Sequence, residues 1–199
     1  MSALQKINLK TRKVTLCILG IPGSGKGTQA KFLAKKFNLT HIETGNLVRE
    51  YILSRKAASD RYQKGIPQPS PVINKLVENE ISRQLQKKCD RFILDPYPLK
   101  ISEAKHFLKI VKKYRLANPY VIFLKTNPQL VLQRIIERAK TQGRTDDNIQ
   151  TVQKRINHYQ KELKPILKYF SRKKLLLTVD GDQTIKNVKK ELFSRFRQN

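Results

Sequence analysis

The feature that most constrains this chain is an apolar run that ends in a glycine-rich loop, VTLCILGIPGSGKGTQA, residues 14–30. A continuous apolar run of this length predicts a buried strand over 14–20, and a helix over 25–37 follows. Three glycines surround one lysine at the start of that helix: Gly23, Gly25, Gly27 and Lys26. Glycines allow close backbone approach to phosphate, and the helix N-terminus adds positive potential. The stretch therefore predicts a cradle for phosphate groups.

One residue departs from the general phosphate-loop pattern G-x-x-x-x-G-K-[ST]. Gly27 stands where Ser or Thr should follow the lysine. The competing interpretation is a tight strand–helix turn that binds no ligand. Such a turn does not require a lysine between glycines, so we favour a nucleotide site in which Lys26 contacts the β- and γ-phosphates.

Length and cysteine usage bound the class of protein. With 199 residues we expect one domain, 1–199, that buries a sizeable core. The two cysteines cannot build a disulfide framework, and Cys17 in its apolar run is expected to be a small buried side chain. The apolar stretches are shorter than the ~20 residues of a membrane span, and we expect no membrane segment. Without a secretory signal we expect a cytoplasmic location, with an organelle as the alternative. We also expect a monomer.

The charge balance is strongly basic. There are 42 Lys and Arg against 15 Asp and Glu, a formal net charge of +27, and no acidic residue precedes Glu43. Such a field attracts polyanions, including nucleotides, nucleic acids and anionic membranes. The other interpretation is that the lysines are simply solvated, since they are scattered along the chain. A nucleic-acid partner therefore stays open.

Short β-rich runs alternate with longer helical patterns, which is typical of a parallel sheet covered on both faces. The predicted strands are 14–20, 40–44, 92–95, 120–125 and 175–180. The predicted helices are 25–37, about 45–57, 70–88, 102–115, 128–140, 147–170 and 184–197. Ser70 and Pro71 are expected as a cap and a first-turn residue, and Asn127-Pro128 as a helix start.

Four segments together resemble the adenylate kinase family of nucleoside monophosphate kinases. They are GIPGSGKGTQ (20–29), HIETGNLVRE (41–50), FILDPYPLK (92–100) and GRTDDN (143–148), and the resemblance runs from about 14 to about 190. It implies a P-loop three-layer α/β/α fold with a five-stranded parallel sheet. It also implies a small acceptor-binding helical lobe at about 44–75 and a short lid at about 138–148, without a zinc-binding insertion.

The resemblance implies a donor site for ATP and Mg²⁺. Thr28 takes the place of the usual hydroxyl, and Asp95, which ends a predicted strand, would hold the hydration shell of the metal. Arg134 would lie against the ATP base, and the turn of residues 179–184 would supply backbone contacts to that base. The implied ATP-binding residues are Gly20, Pro22, Gly23, Ser24, Gly25, Lys26, Gly27, Thr28, Arg134 and Gln183.

Phosphoryl transfer between two nucleotides requires arginines to converge on the phosphates, because a guanidinium binds phosphate in a bidentate manner. Arg134 and Arg138 lie one helical turn apart and share a helix face. By resemblance, two acidic residues of the lid would pair with its arginines. The implied catalytic residues are Lys26, Arg134, Arg138, Arg144, Arg155, Asp146 and Asp147.

The acceptor side matches the family less closely. The residues implied to bind the nucleoside monophosphate are Thr44, Gly45, Arg49, Gln68, Glu103, Arg144 and Arg155. Leu99 replaces an arginine that contacts the monophosphate, and adjacent Lys100 is a possible substitute. Pro96 replaces a glycine, and Asn46 replaces an aspartate but can still cap a helix.

Glu103 occupies the position where the family has a glutamine that reads the acceptor adenine. An ionised carboxylate only accepts hydrogen bonds, whereas adenine presents both a donor and an acceptor. Guanine presents two adjacent donors, so the sequence suggests a preference shifted from AMP toward GMP or another base. The alternative is that Glu103 points into solvent at a helix start, where a negative charge is favourable.

These observations predict transfer of the γ-phosphate of ATP to a nucleoside monophosphate. The first alternative is a diverged nucleotide-binding protein with weak or no kinase activity that binds RNA through its basic surface. A third interpretation, phosphorylation of another small molecule, explains the matches at Thr44, Gly45 and Arg49 poorly.

Overall fold

A computed structural model describes residues 7–8, 13–64, 66–142 and 149–197 of the chain. Its strands are β1 (Ile7–Asn8), β2 (Val14–Leu19), β3 (Thr40–Glu43), β4 (Arg91–Asp95), β5 (Tyr120–Lys125), β6 (Leu176–Asp180) and β7 (Phe196–Arg197). Its helices are α1 (Lys26–Phe37), α2 (Thr44–Ile52), α3 (Lys56–Gln63), α4 (Ser70–Gln86), α5 (Ile101–Lys113), α6 (Pro128–Gln142), α7 (Ile149–Arg172) and α8 (Ile185–Arg195).

Five strands form one parallel sheet in the order β3-β4-β2-β5-β6. The strand that precedes the glycine loop is central, with Cys17 level with Leu94 on one neighbour and Val121 on the other. All six residues of β2 are buried, as expected for a central parallel strand covered on both faces. The predicted five-stranded parallel sheet is confirmed.

The sheet separates two apolar clusters, because successive strand residues point to opposite faces. Cys17 and Leu19 pack with α4, α5, α6 and α7 on one side, whereas Leu16 and Ile18 pack with α1 and α8 on the other. This arrangement confirms the three-layer α/β/α architecture. The buried position of Cys17 is confirmed too, and burial raises the pKa of its thiol.

The structure corrects four local predictions. The helix expected over 45–57 is two helices, α2 and α3, because Arg55 adopts an extended conformation between them. The last helix ends at Arg195 rather than 197, and Phe196 and Arg197 pair with β1 instead. Ser70 is not a cap, since it is the first residue of α4 and its hydroxyl points elsewhere. Nor does Asn46 cap α2, which already begins at Thr44.

Other helix ends agree with the sequence. The N–H of Gln129 donates a 2.9 Å hydrogen bond to the side chain of Asn127, which caps α6 as expected. Pro71 lies in the first turn of α4, where its missing N–H costs nothing. At α8, the N–H of Asn187 donates to the hydroxyl of Thr184 over 3.2 Å. These caps fix the directions in which the helices leave the sheet.

Candidate active site

The glycine loop connects the end of β2 to the start of α1 and adopts a conformation that only glycine takes up readily. Gly23 and Gly25 have φ angles of 82° and 86°. The N–H of Ser24 donates to the carbonyl of Ile21 over 3.1 Å, which closes the turn. Gly25 is the N-cap of α1, so the loop delivers the chain directly to a helix N-terminus. This is the predicted anion cradle.

Lys26 is the first residue of α1, and its side chain folds back over the loop. The Nζ atom donates to the carbonyl of Ile21 over 3.2 Å and lies 5.8 Å from the ring centroid of Tyr159 on α7. The lysine therefore lies between the loop and α7. From this position its ammonium group can contact a phosphate bound by the loop.

A cleft of about 850 Å³ opens beside the loop. It brings together residues that lie far apart in the sequence. The predicted site residues that line it are Gly23, Ser24, Gly25, Lys26, Gly27, Thr28, Gly45, Arg49, Asp95, Arg134 and Gln183. We call it the donor cleft, after the prediction that these residues bind the phosphate donor. Gly20 lies beneath the loop, where an added Cβ would meet the hydroxyl of Ser24 at 2.5 Å and the carbonyl of Leu124 at 3.1 Å.

Asp95 ends β4 with its carboxyl group against the start of α1. An added Cβ at Gly27 would lie 3.3 Å from the Asp95 Oδ2 atom, so the glycine leaves room for the carboxylate. His41 Nε2 is 3.4 Å from the same oxygen, and Glu43 is 3.6 Å from His41 Nδ1. A carboxylate and the hydroxyl of Thr28 in one cleft are hard oxygen donors, which fit Mg²⁺ and its water shell.

Arg134 on α6 binds the turn that follows β6. Its guanidinium donates to the carbonyls of Gly181, Asp182 and Gln183 over 2.9, 3.3 and 3.2 Å. The side chain of Gln183 in turn donates to Glu191 over 2.9 Å. The arginine therefore fixes one wall of the donor cleft by binding backbone carbonyls.

A second, smaller cleft of about 160 Å³ adjoins the first. Gly45 and Pro96 line both clefts, so the two spaces meet at this point. Thr44, Gln68 and Glu103 contribute polar groups, and apolar residues such as Val48 form its walls. We call it the acceptor cleft, after the prediction that Thr44, Gln68 and Glu103 bind the phosphate acceptor. The hydroxyl of Thr44 donates to the carbonyl of Pro96 over 2.8 Å, which ties α2 to the end of β4.

Glu103 lines this cleft and is 4% exposed, so the alternative in which it points into solvent is wrong. One carboxylate oxygen accepts from the hydroxyl of Ser70 over 2.9 Å. The other accepts from the N–H of Leu99 over 2.8 Å. Each oxygen has a second lone-pair site, so the carboxylate can accept further hydrogen bonds from a ligand. The two contacts fix its position between α4 and α5.

The rest of the acceptor cleft clarifies the departures from the family pattern. Leu99 and Lys100 both line it, so the lysine does lie beside the position of the missing arginine. Arg49 donates to the side chain of Asn46 one turn earlier on α2 and lines the donor cleft. Gln68 is buried, and its amide donates to the carbonyl of Ala58 over 2.8 Å.

Part of the predicted site lies outside the described residues. Arg144, Asp146 and Asp147 belong to the segment 143–148, which the structure does not describe. Arg138 and Arg155 belong to α6 and α7, but their side chains are outside what the structure describes. Their roles remain predictions.

The sequence reasoning missed several residues that line the clefts. His158, Tyr159 and Glu162 face the acceptor cleft from α7, on one face of the helix at spacings of one and four residues. Gln29 is buried beside the donor cleft and donates to the carbonyl of Ile185 over 3.0 Å. The helical periodicity of α7 could have shown which face it presents, but not that this face meets the acceptor cleft.

The family model for adenylate kinase matches residues 18–175 of this chain. The chain belongs to the adenylate kinase family. It is 31% identical to an adenylate kinase of Flavobacterium psychrophilum over 184 residues, 90% of this chain and 96% of the relative. It is 28% identical to a uridylate kinase of Saccharomyces cerevisiae (92% and 90% covered) and 31% identical to a UMP-CMP kinase of Lentinula edodes (88% and 82% covered).

Family membership and the two adjoining clefts establish the class of reaction. The protein is an ATP-dependent nucleoside monophosphate kinase. Diverged binding without kinase activity is not favoured. In the described part of the chain, the helices are too short or too polar to span a bilayer.

Proposed function

We propose that the donor cleft binds ATP with Mg²⁺ and that the acceptor cleft binds the nucleoside monophosphate. The observation that carries this proposal is the junction of the two clefts at Gly45 and Pro96, beside the glycine loop. A donor γ-phosphate held by the loop would face an acceptor phosphate held by Arg49. Because both sites lie within one chain, a monomer suffices for the reaction. The two free thiols are compatible with the reducing cytoplasm.

In this proposal the protein positions the two substrates and neutralises their charge. Backbone N–H groups of the loop and Lys26 bind the β- and γ-phosphates. Asp95 and Thr28 hold Mg²⁺ and its water, and the metal supplies positive charge to the phosphate oxygens. Arg138, Arg144 and Arg155 would close over the phosphates, and Asp146 and Asp147 would pair with them.

Lys26→Met tests the donor assignment. We expect kcat to fall by roughly three orders of magnitude or more, because a charge that follows the transferred phosphate is lost. Lys35→Met is the matched control, since Lys35 is exposed near the end of the same helix. Both variants should retain the wild-type circular dichroism. A folded Lys26→Met protein with wild-type kcat would contradict the assignment.

We further propose that Glu103 directs the acceptor preference toward a base that offers N–H donors, and guanine offers two adjacent ones. The support is a buried carboxylate, fixed by Ser70 and Leu99, that lines the acceptor cleft. The measurement is ADP release with ATP and each of AMP, GMP, CMP and UMP.

Glu103→Gln is a close steric match for that test. Its Oε1 atom can accept from the N–H of Leu99 while its amide donates to Ser70, so both native contacts can be kept. We expect kcat/KM for AMP to rise relative to GMP by roughly tenfold or more, which corresponds to about 1.4 kcal/mol. A wild-type preference for AMP that Glu103→Gln leaves unchanged would overturn the role given to Glu103.

A further inference from the structure

Two neighbouring helices on one face of the sheet present lysines outward. Helices α5 and α7 pack against each other and bury Phe107 and Ile166, among others, in the same apolar cluster. Their opposite sides are exposed to solvent. The exposed cations of α5 include Lys105, Lys109 and Lys112, and those of α7 include Lys161, Lys164, Lys168 and Arg172. We call these seven residues the α5–α7 ridge.

The spacing of these residues places each set on one helix face. The α5 cations follow an i, i+4, i+7 pattern, and the α7 cations follow i, i+3, i+7, i+11. With a rise of about 1.5 Å per residue, the α7 set extends over about 16 Å. Both sets point away from the apolar cluster, because the buried residues occupy the opposite sides of both helices. Both sets therefore lie on the solvent side of the same helical layer.

Acidic residues are missing from this surface. The one acid on α5 is Glu103, which is buried, and the one acid on α7 is Glu162, which lines the acceptor cleft. At the edge of the ridge, Glu78 is already bound by Lys113 at 2.7 Å and by His106 at 3.3 Å. Within the described residues, none of the seven ridge cations has an ion-pair partner. Their mutual repulsion is thus not relieved within this part of the protein.

We propose that the α5–α7 ridge binds the phosphate backbone of nucleic acid, a function separate from phosphoryl transfer. Each strand of a duplex carries one phosphate per 3.4 Å or so of helix axis, so the length of the α7 set covers the axial rise of about five phosphates of one strand. Lysine binds phosphate as a point charge and tolerates variation in the position of the phosphate. The ridge therefore fits a regular polyanion better than a single nucleotide.

The ridge fits nucleic acid better than a membrane surface. Helices that lie in a membrane interface need large apolar side chains beside their lysines. The exposed large apolar residues in the described part of the chain are Leu53, Ile66 and Ile185, and none of them lies on α5 or α7. Nor does the ridge offer exposed aromatic rings for bases, so we expect binding with little sequence preference.

The opposite layer of the protein supplies a control surface. Lys35 on α1 and Lys186 and Lys190 on α8 are also exposed, but α8 carries Glu191 among its lysines. The ridge variant is Lys109→Gln, Lys164→Gln and Lys168→Gln, and the control variant is Lys35→Gln, Lys186→Gln and Lys190→Gln. Each removes three charges from a net charge of +27, so the two differ in position alone.

The assay is fluorescence anisotropy with a labelled DNA duplex of about 20 base pairs, measured over a series of salt concentrations. Seven phosphate contacts predict a slope of log K against log[salt] near −6 for the wild-type protein. We expect the ridge variant to bind roughly 10- to 100-fold more weakly at about 0.15 M salt and its slope to move toward −4. The control variant should stay within about threefold of wild type. Kinase activity, measured in parallel, should be unchanged in both variants, so failure here is distinct from failure of the proposed function.

Three results would overturn the proposal. Equal losses in the ridge and control variants would mean that net charge alone attracts the duplex. No binding of the wild-type protein at about 0.15 M salt would exclude the function at physiological ionic strength. If the ridge variant loses more affinity for phosphatidylserine vesicles than for the duplex, the surface is a membrane site. A variant with Lys109→Arg, Lys164→Arg and Lys168→Arg should retain binding, because it keeps the three charges. Unchanged kinase activity of the ridge variant excludes a folding defect as the cause of its weaker binding.

Discussion

Two glycines of the phosphate loop share a backbone conformation but differ in their surroundings. Gly23 and Gly25 have φ angles of 82° and 86°, which cost an L-residue about 1–2 kcal/mol. A Cβ added at Gly23 would lie 2.8 Å from the Cγ1 atoms of both Ile135 and Val131. A Cβ added at Gly25 would have no heavy atom within 4 Å. Alanine at the two positions therefore separates backbone strain from overpacking.

The expected free energies follow from that difference. Val131 is 0% exposed and Ile135 is 3% exposed, so both side chains belong to the packed core. Overpacking of this type costs about 1–3 kcal/mol. Gly23→Ala should thus lower the free energy of unfolding by about 2–5 kcal/mol, whereas Gly25→Ala should lower it by about 1–2 kcal/mol.

Gly25→Ala should have its main effect on the donor cleft. Gly25 lines that cleft, and the added methyl group would occupy space where a phosphate approaches the backbone. We expect the KM for ATP to rise by roughly tenfold or more, with most of the stability retained.

Urea denaturation measures both stabilities, and steady-state kinetics measure the KM for ATP. The packing argument fails if Gly23→Ala costs no more stability than Gly25→Ala. The assignment of the donor cleft fails if Gly25→Ala leaves the KM for ATP unchanged.

Three other variants test contacts outside the loop. Arg134→Ala removes three hydrogen bonds to backbone carbonyls and should cost about 1–2 kcal/mol of stability, seen as a lower melting temperature. It should also raise the KM for ATP, and an unchanged KM would mean that the turn does not position the donor. Tyr97→Phe leaves the buried Oδ1 atom of Asn74 without its 2.7 Å donor, so the free energy of unfolding, measured by urea denaturation, should fall by about 1–3 kcal/mol. An unchanged free energy of unfolding would contradict the role of this hydrogen bond. The hydrogen bond from Lys113 holds the pKa of Glu78 below its usual 4.5. The ionised Glu78 therefore stabilises the fold above pH 4.5, and this stabilisation is lost as the pH falls through the pKa of the folded state. Glu78→Gln should therefore cost up to about 1 kcal/mol at neutral pH and nothing in acid, as measured by melting temperature against pH; a cost that persists in acid would argue against the ion pair.

The sequence alone determined the elements that depend on neighbouring residues. The strand β2, the glycine loop and α1 form one continuous segment, and its apolar run, glycines and helix start are local properties. Asn127 and Pro128 define the start of α6 for the same reason. The order of four family motifs was sufficient to identify the class of enzyme, because those motifs carry their chemistry in short stretches.

Tertiary structure alone decided how distant segments combine. The Cβ position of Gly27 lies beside Asp95, 68 residues away in the chain, which gives a physical reason for the glycine that departs from the general loop pattern. Glu103 was recognised as unusual in sequence, but only packing shows that Ser70 and Leu99 fix its carboxylate within the acceptor cleft. Hydrogen-bond partners such as these depend on the path of the whole chain, whereas propensity and spacing depend only on local sequence.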